Sequence, residues 1–123
     1  LTDAFIAGWH NKLVNIHPAL LPAFKGLHTH ARALDAGVRF HGCTVHVVRP
    51  AMDEGPIIGQ AIVPVRPDDD ENSLALRVLN AEHRLFPAAL RLIADGKVHI
   101  EGEKVVIYDA AFAGGLLFNP LVA

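Results

Sequence analysis

The sequence predicts an α/β fold, a mixed sheet with flanking helices and a small C-terminal hairpin, and three observations carry that prediction. Apolar strand-like runs at 13–17, 42–48 and 57–65 alternate with segments of helical spacing at 29–36 and 74–95. The second and third runs are rich in β-branched residues, which suit a pleated, buried surface. At the end of the first run, the period of two puts Asn15 and His17 on one face, with Ile16 on the other. Pro18 and Pro22 cannot extend a ladder, so the strand stops there. Two polar side chains then sit at a strand's carboxyl end, where open α/β sheets place ligand crevices.

The elements follow in order. Residues 2–11 predict a short helix capped by Thr2, with Phe5, Ile6 and Trp9 on one face and Gly8 as a weak point. After the 13–17 strand, two prolines and a glycine make 19–26 an irregular loop. Residues 29–36 read as a helix with Thr29 as cap and Gly37 just beyond its end. The 42–48 strand has Thr44 and His46 on a shared face, Met52 to Pro56 form a loop, and Pro64 and Pro67 end the next strand. Asp68 to Glu71 supply negative charge ahead of Asn72 and Ser73, both suited to cap the long helix. In that helix Leu74, Val78, Ala81, Leu85, Leu90 and Ile93 recur at spacings of three and four, and Pro87 must kink or restart it. Gly96 closes it, and 98–100 with 104–107 make a hairpin about Gly102. The tail from 110 is apolar, broken by Gly114 and Gly115, and no function attaches to it.

With 123 residues, 51% apolar and 20% charged, the chain holds one globular domain with no internal repeat or linker. A net charge of −2 and a pI near 6.5, with no dense basic run, argue against nucleic acid and anionic membranes as partners. No apolar run approaches the roughly 20 residues that span a bilayer. The single Cys43 lies in an apolar strand, which excludes an internal disulfide and fits a reducing cytoplasm and a soluble protein. His28 and His30 are the closest histidine pair, but no further ligands complete a site, and no metal is expected. Leu1 is not an initiator and the only methionine is Met52, so an upstream portion is expected.

Several blocks carry a more specific signal: Asn15-Ile16-His17-Pro18, Leu20-Leu21-Pro22, Gly26-Leu27-His28-Thr29-His30, His41-Gly42-Cys43-Thr44-Val45-His46 and Asp53-Glu54-Gly55-Pro56-Ile57-Ile58. In order and spacing the chain resembles the formyltransferase family that uses 10-formyltetrahydrofolate, and within it the branch that formylates glycinamide ribonucleotide in purine synthesis. Coupled motifs over residues 1–107 make this far more specific than one short pattern. The resemblance implies the C-terminal half of a Rossmann-like formyltransferase fold. It also implies that an N-terminal nucleotide-binding half, with a glycine-containing phosphate loop that nothing here matches, is absent.

Formyl transfer to an amine needs donors for the oxyanion of a tetrahedral intermediate, a route for the amine proton and protonation of the departing nitrogen. Asn15 can donate its amide to the formyl oxygen, and His17 can donate a second hydrogen bond or carry a proton. Asp53, if its loop folds back over the strand ends, can pair with His17 and favour the imidazolium, or order a relaying water. The amine is the nucleophile, so no covalent enzyme intermediate is expected and Cys43 has no part. By resemblance, Asn15, His17 and Asp53 form the catalytic set, with Thr44 and His46 supporting it. The co-substrate 10-formyltetrahydrofolate would lie on Leu13, Asn15, Val48, Arg49, Pro50, Ala51, Met52 and Asp53. The nucleotide would meet Ile16, His17, Pro18 and, at its ribose, Glu82.

Without the resemblance, Asn15 reads as a loop cap, His17 and His46 as buried structural histidines, Asp53 as a turn residue and Glu82 as a solvated helix residue. The chain departs from the family at Ala19, where serine is common, and at Arg49-Pro50-Ala51, which replaces an acidic stretch and bears on donor affinity. Formyltetrahydrofolate deformylase and a catalytically idle folate-binding module are the competing readings. A methionyl-tRNA formyltransferase fits less well, lacking the His28-Thr29-His30 loop and adding a basic domain. The expected assembly is a monomer or homodimer.

Overall fold

A computed structural model describes residues 1–122. The elements run α1 (Asp3–Gly8), β1 (Val14–His17), α2 (Thr29–Ala36), β2 (Phe40–Val47), β3 (Ile57–Pro64), α3 (Glu71–Ala94), β4 (Val98–Glu101) and β5 (Lys104–Ile107). The three-stranded sheet has the order β1-β2-β3 and the hairpin pairs β4 with β5. Where a mixed sheet was expected, each pairing among the described residues is antiparallel. The 18–39 and 48–56 connections return the chain along the preceding strand rather than crossing over to run beside it.

The register fixes which side chains share a face. Asn15 stands opposite His46 and His17 opposite Thr44, while Val14 pairs with Val47 and Ile16 with Val45. The apolar set faces α3. Cys43, Val63, Leu74 and Val78 form one buried cluster; Val45, Val47, Ile58 and Ala89 form another, extended by Val98, Ile100 and Val105 of the hairpin. Residues 41–47 of β2 are buried without interruption because α3 covers one face and the 18–22 loop approaches the other.

Local rules explain the elements, with three corrections. Thr2 caps α1 by accepting the Phe5 N–H at 3.1 Å, but only Ile6 is buried; Phe5 and Trp9 stack on each other in solvent. Thr29 does not cap α2. His28 holds that position in the left-handed region, and the Thr29 hydroxyl instead donates to the Pro18 carbonyl at 2.6 Å, tying the helix to the end of β1. For α3 the cap is Asp70 rather than Asn72 or Ser73: its carboxylate accepts the Ser73 N–H at 2.8 Å while Ser73 Oγ accepts the Asp70 N–H at 3.0 Å.

Helix α3 runs as one 24-residue element through Pro87. Partly buried Leu85 and buried Ala89 pack against the sheet's core on either side of Pro87, and the helix continues across the missing N–H. At its start, Asp69 is forked by Arg77 at 2.6 Å, which holds the Asp69 carboxyl well below the usual carboxylate range, and Arg77 also donates to the Pro64 carbonyl at 2.8 Å. The tail beyond β5 has no regular structure, but the Asn119 amide donates to the carbonyls of Arg39 and Val65 at 2.6 and 2.9 Å. Among the described residues no helix is long and apolar enough to cross a membrane.

Leu74 is fully buried where α3 meets the sheet, whereas Ile62 is 45% exposed on β3. Leu74→Ala should therefore cost about 2–5 kcal/mol in urea unfolding, the range for a buried leucine that leaves a cavity. Ile62→Ala should cost less than half as much. Equal losses would place the core elsewhere.

Candidate active site

The site begins at the last residue of β1. His17 is 5% exposed, and its Nε2 lies 2.9 Å from the Phe24 carbonyl. A carbonyl only accepts, so Nε2 carries a proton. The other ring nitrogen, Nδ1, faces Asp53 Oδ1 at 3.5 Å. The second oxygen of Asp53 accepts the Gly26 N–H at 2.7 Å. One carboxylate thus touches a strand residue and a loop amide contributed by two distant stretches of chain.

The loop that carries Asp53 is tightly made. Asp53 adopts φ +53°, a left-handed conformation that aspartate tolerates better than most residues. Its base is closed by Val47 N–H to the Pro56 carbonyl at 2.9 Å and Val48 N–H to the Leu13 carbonyl at 2.8 Å. A Cβ at Gly55 would collide with the Val47 carbonyl, so only glycine fits where the chain turns back. Lys25 pairs with Glu54 at 2.7 Å, a second tie between the two loops. Beside them a cavity of about 300 Å³ is lined by Leu21, Pro22, Lys25, Asp53, Glu54, Gly55 and Ile57.

The neighbours on the same sheet face differ in availability. Asn15 is exposed. Opposite it, His46 is 3% exposed; its Nδ1 donates to the Val47 carbonyl at 3.1 Å, and its Nε2 is buried with no partner. An orphaned buried acceptor is costly and is a common mark of a site that binds something. Thr44 is committed: its hydroxyl donates to the Ala19 carbonyl at 2.7 Å and accepts from Leu21 N–H at 3.1 Å and Gln60 Nε2 at 3.0 Å. Gln60 also donates to the Leu21 carbonyl at 3.0 Å. Thr44 and Gln60 therefore anchor the 19–21 loop.

The 24–28 loop is held from behind by α2. Arg32 donates to the carbonyls of Lys25 and Leu27 at 2.6 and 3.0 Å, with its guanidinium 5.6 Å from the Phe24 ring centroid. His41 lies edge-on to Phe24, and its Nε2 is 3.1 Å from His30 Nδ1. His30 thus pairs with His41 rather than with His28, which is exposed. Burial first, then the neighbouring His30 and His17, pushes His41 down to about 4; burial lowers His30 against an opposing pull from Glu71.

The other expected residues differ in burial and in the side of the sheet they occupy. Leu13 and Val48 are half-buried at the loop's base, and Pro50, Ala51 and Met52 are exposed along it. Ile16 is on the α3 side of the sheet. There it lines a cavity of about 370 Å³ with Leu79, Glu82, His83, Phe86 and Pro87, and Glu82 is near enough to His17 for the two charges to interact. Burial raises the Glu82 carboxyl, opposed by His83 and His17. Cys43 is buried, its thiol pushed up to about 11 by burial and then by Glu82, and it faces the core. The contributions of Gly26, Phe24, Lys25 and Gln60 were not singled out from sequence. For Gln60 the missing signal was register: only the Thr44–Gln60 pairing reveals it.

This arrangement defines a class. Residues 1–90 match the family described as formyl transferase, and the chain belongs to it. Within that class it is similar to phosphoribosylglycinamide formyltransferase of Escherichia coli K12, with 44% identity over 98 residues, 80% of this chain and 46% of that protein. The trifunctional purine biosynthetic protein adenosine-3 of Gallus gallus is 51% identical over 100 residues, 81% of this chain and 10% of that protein. The crystal structure of phosphoribosylglycinamide formyltransferase from Anaplasma phagocytophilum superposes with a TM-score of 0.88 at 44% identity, covering 91% of this chain and 55% of that one. A formyltetrahydrofolate deformylase from Pseudomonas syringae superposes at 0.83 with 28% identity, covering 87% and 36%. The chain spans about half the length of the E. coli relative and about a tenth of the trifunctional one.

The His41 environment sets a pH dependence. Between its ordinary value of 6.5 and about 4 the unfolded chain binds a proton that folded His41 refuses. Its contribution is complete above pH 6.5 and is lost as pH falls toward 4. Urea midpoints measured from pH 7.5 to 4 should fall through that window, and His41→Gln should make the fall shallower. Identical slopes would contradict a buried neutral imidazole.

Proposed function

We propose that this chain carries the chemical half of a transferase that moves a formyl group from 10-formyltetrahydrofolate to the amine of glycinamide ribonucleotide, as in de novo purine biosynthesis. The observation that carries the reading is the Asp53 carboxylate set between His17 Nδ1 and the Gly26 N–H, on the face that exposes Asn15. The family match and the relatives' names support it.

In this reading the amine attacks the formyl carbon, and the new C–N bond forms as charge gathers on the formyl oxygen. Asn15 donates its amide to that oxygen. The unpartnered Nε2 of His46, on the residue opposite Asn15, is an acceptor free for a bound donor on the same face. The amine's proton passes through a water to the Asp53–His17 pair. A proton then reaches N10 of the folate as its bond to the formyl carbon breaks. The His17 ring is held for this by its Nε2–H on the Phe24 carbonyl. Thr44 supports the site by fixing the 19–21 loop.

The folate lies against Leu13, Val48 and the backbone of 49–53. The nucleotide approaches Ile16, His17 and Pro18, with its ribose toward Glu82 at the sheet's edge. The segment is the C-terminal portion of the formyltransferase domain, working in the cytoplasm as a monomer or homodimer on small molecules. No metal takes part in this reading.

The test is an assay of the purified protein with 10-formyltetrahydrofolate, with and without glycinamide ribonucleotide. Formylated nucleotide forming in step with tetrahydrofolate supports the transferase. Formate released at the same rate without nucleotide would replace it with the deformylase, and donor binding without turnover with the idle module. Asp53→Asn should lower turnover by about two orders of magnitude, the scale of one proton-handling group, with little change in the urea midpoint. Turnover within a fewfold of wild type would remove Asp53 from the mechanism.

A further inference from the structure

We infer that Arg49 is a positioning residue, one that hangs the Asp53 loop on the β4–β5 turn and on the turn before β1. Its Nε donates to both carboxylate oxygens of Glu103, at 3.2 and 3.1 Å, and its Nη2 donates to Asn11 Oδ1 at 2.7 Å. Three segments far apart in sequence meet at one guanidinium. The side chain is only 10% exposed although Glu103 is 68% exposed, so the cation is drawn inward while its counter-ion remains in water. Nη1 is buried without a partner. A guanidinium desolvated this far keeps its place only while its acceptors hold it, because an unpaired buried charge is strongly unfavourable.

What the clamp holds is the base of the loop. The Arg49 stem packs against Gly55, two residues past Asp53, on the side where the Val47 carbonyl already forbids a side chain. Between these points Pro50, Ala51 and Met52 are exposed, and the one internal turn bond, Glu54 N–H to the Ala51 carbonyl, is 3.4 Å long. Asp53 and Glu54 are tied to the 24–28 loop through the Gly26 N–H and Lys25, but 50–52 are not, so the path of that stretch is set by Arg49 on one side and by Asp53 and Glu54 on the other. A planar fork suits this work. It can satisfy a carboxylate and an amide oxygen in fixed directions at once, whereas an ammonium supplies a point charge without that geometry. The hairpin, which packs on the second core cluster, thereby reaches the loop that faces His17.

The catalytic consequence rests on the formyl-transfer reading, but the clamp itself does not, and two measurements separate them. The variants are Arg49→Ala, Arg49→Lys and Glu103→Ala, with Lys104→Gln on the same hairpin as a control. Amide exchange, followed residue by residue, should speed at least tenfold at Val48 and Glu54 in the first three variants and not in the control. The Val78 amide in α3 should keep its wild-type rate. Arg49→Lys should behave like Arg49→Ala, because it keeps the charge and loses the fork. In the transfer assay the same three variants should raise KM for the folate donor about tenfold while KM for the nucleotide stays put. Wild-type exchange at 48–54 in Glu103→Ala, or full rescue by Arg49→Lys, would overturn the inference. Exchange speeding equally at Val78 would also overturn it, since Arg49 would then be a general support of the fold. A wild-type protein that transfers no formyl group would sink the functional reading and leave the exchange data to decide the clamp.

Discussion

The contact between Asp53 and the two groups it touches, the His17 ring and the Gly26 amide, is the constraint on which the rest of the site depends. A carboxylate that leaves water needs partners, and here one is the ring at the end of a strand and the other a backbone N–H from a loop nine residues further along. Neither group reaches Asp53 unless β1 ends at His17, the 18–28 loop folds back, and the 48–56 loop turns through a left-handed residue and a glycine. Most of the polar network serves to satisfy those three conditions.

Each condition has its own support. Pro18 ends the strand, and its carbonyl receives the Thr29 hydroxyl, so the start of α2 is fixed to the end of β1. The Thr44 hydroxyl and Gln60 amide, side by side on β2 and β3, take the backbone polar groups of the 19–21 loop that would otherwise be stranded against a buried sheet face. Arg32 and the His30–His41 pair back the 24–28 loop from α2. The core between α3 and the sheet carries the load beneath all of this. Its residues lie on the strand faces opposite Asn15, His17 and His46, so stability and chemistry are divided by the period of two.

That division made much of the molecule legible in advance. The spacing in 13–17 and 42–48 placed Asn15 with His17 and Thr44 with His46 on shared faces, and the observed register puts all four on one face. Helix α2 matched its expected bounds because Gly37 marks its end through positive φ, a local signal. The failures were also physical. Thr29, Asn72 and Ser73 all have capping chemistry, but which residue caps depends on where competing acceptors lie, and Pro18 and Asp70 decided it. Pro87 was expected to kink or restart the helix, and it does not restart it: α3 is continuous through that position. The role of Gln60, the bond from the Gly26 amide to Asp53 and the Arg49–Glu103–Asn11 meeting were invisible because each depends on contacts between residues 16 to 54 positions apart, or on backbone rather than side-chain chemistry.

The most direct measurement is a crystal structure of the protein with a stable 10-formylfolate analogue bound. The account predicts the formyl oxygen about 3 Å from the Asn15 amide nitrogen, the pterin against the 48–53 backbone, and the Asp53 carboxylate still between His17 and Gly26. An analogue bound away from the Asn15 face, or an Asp53 carboxylate swung into solvent with the Gly26 contact broken, would contradict it.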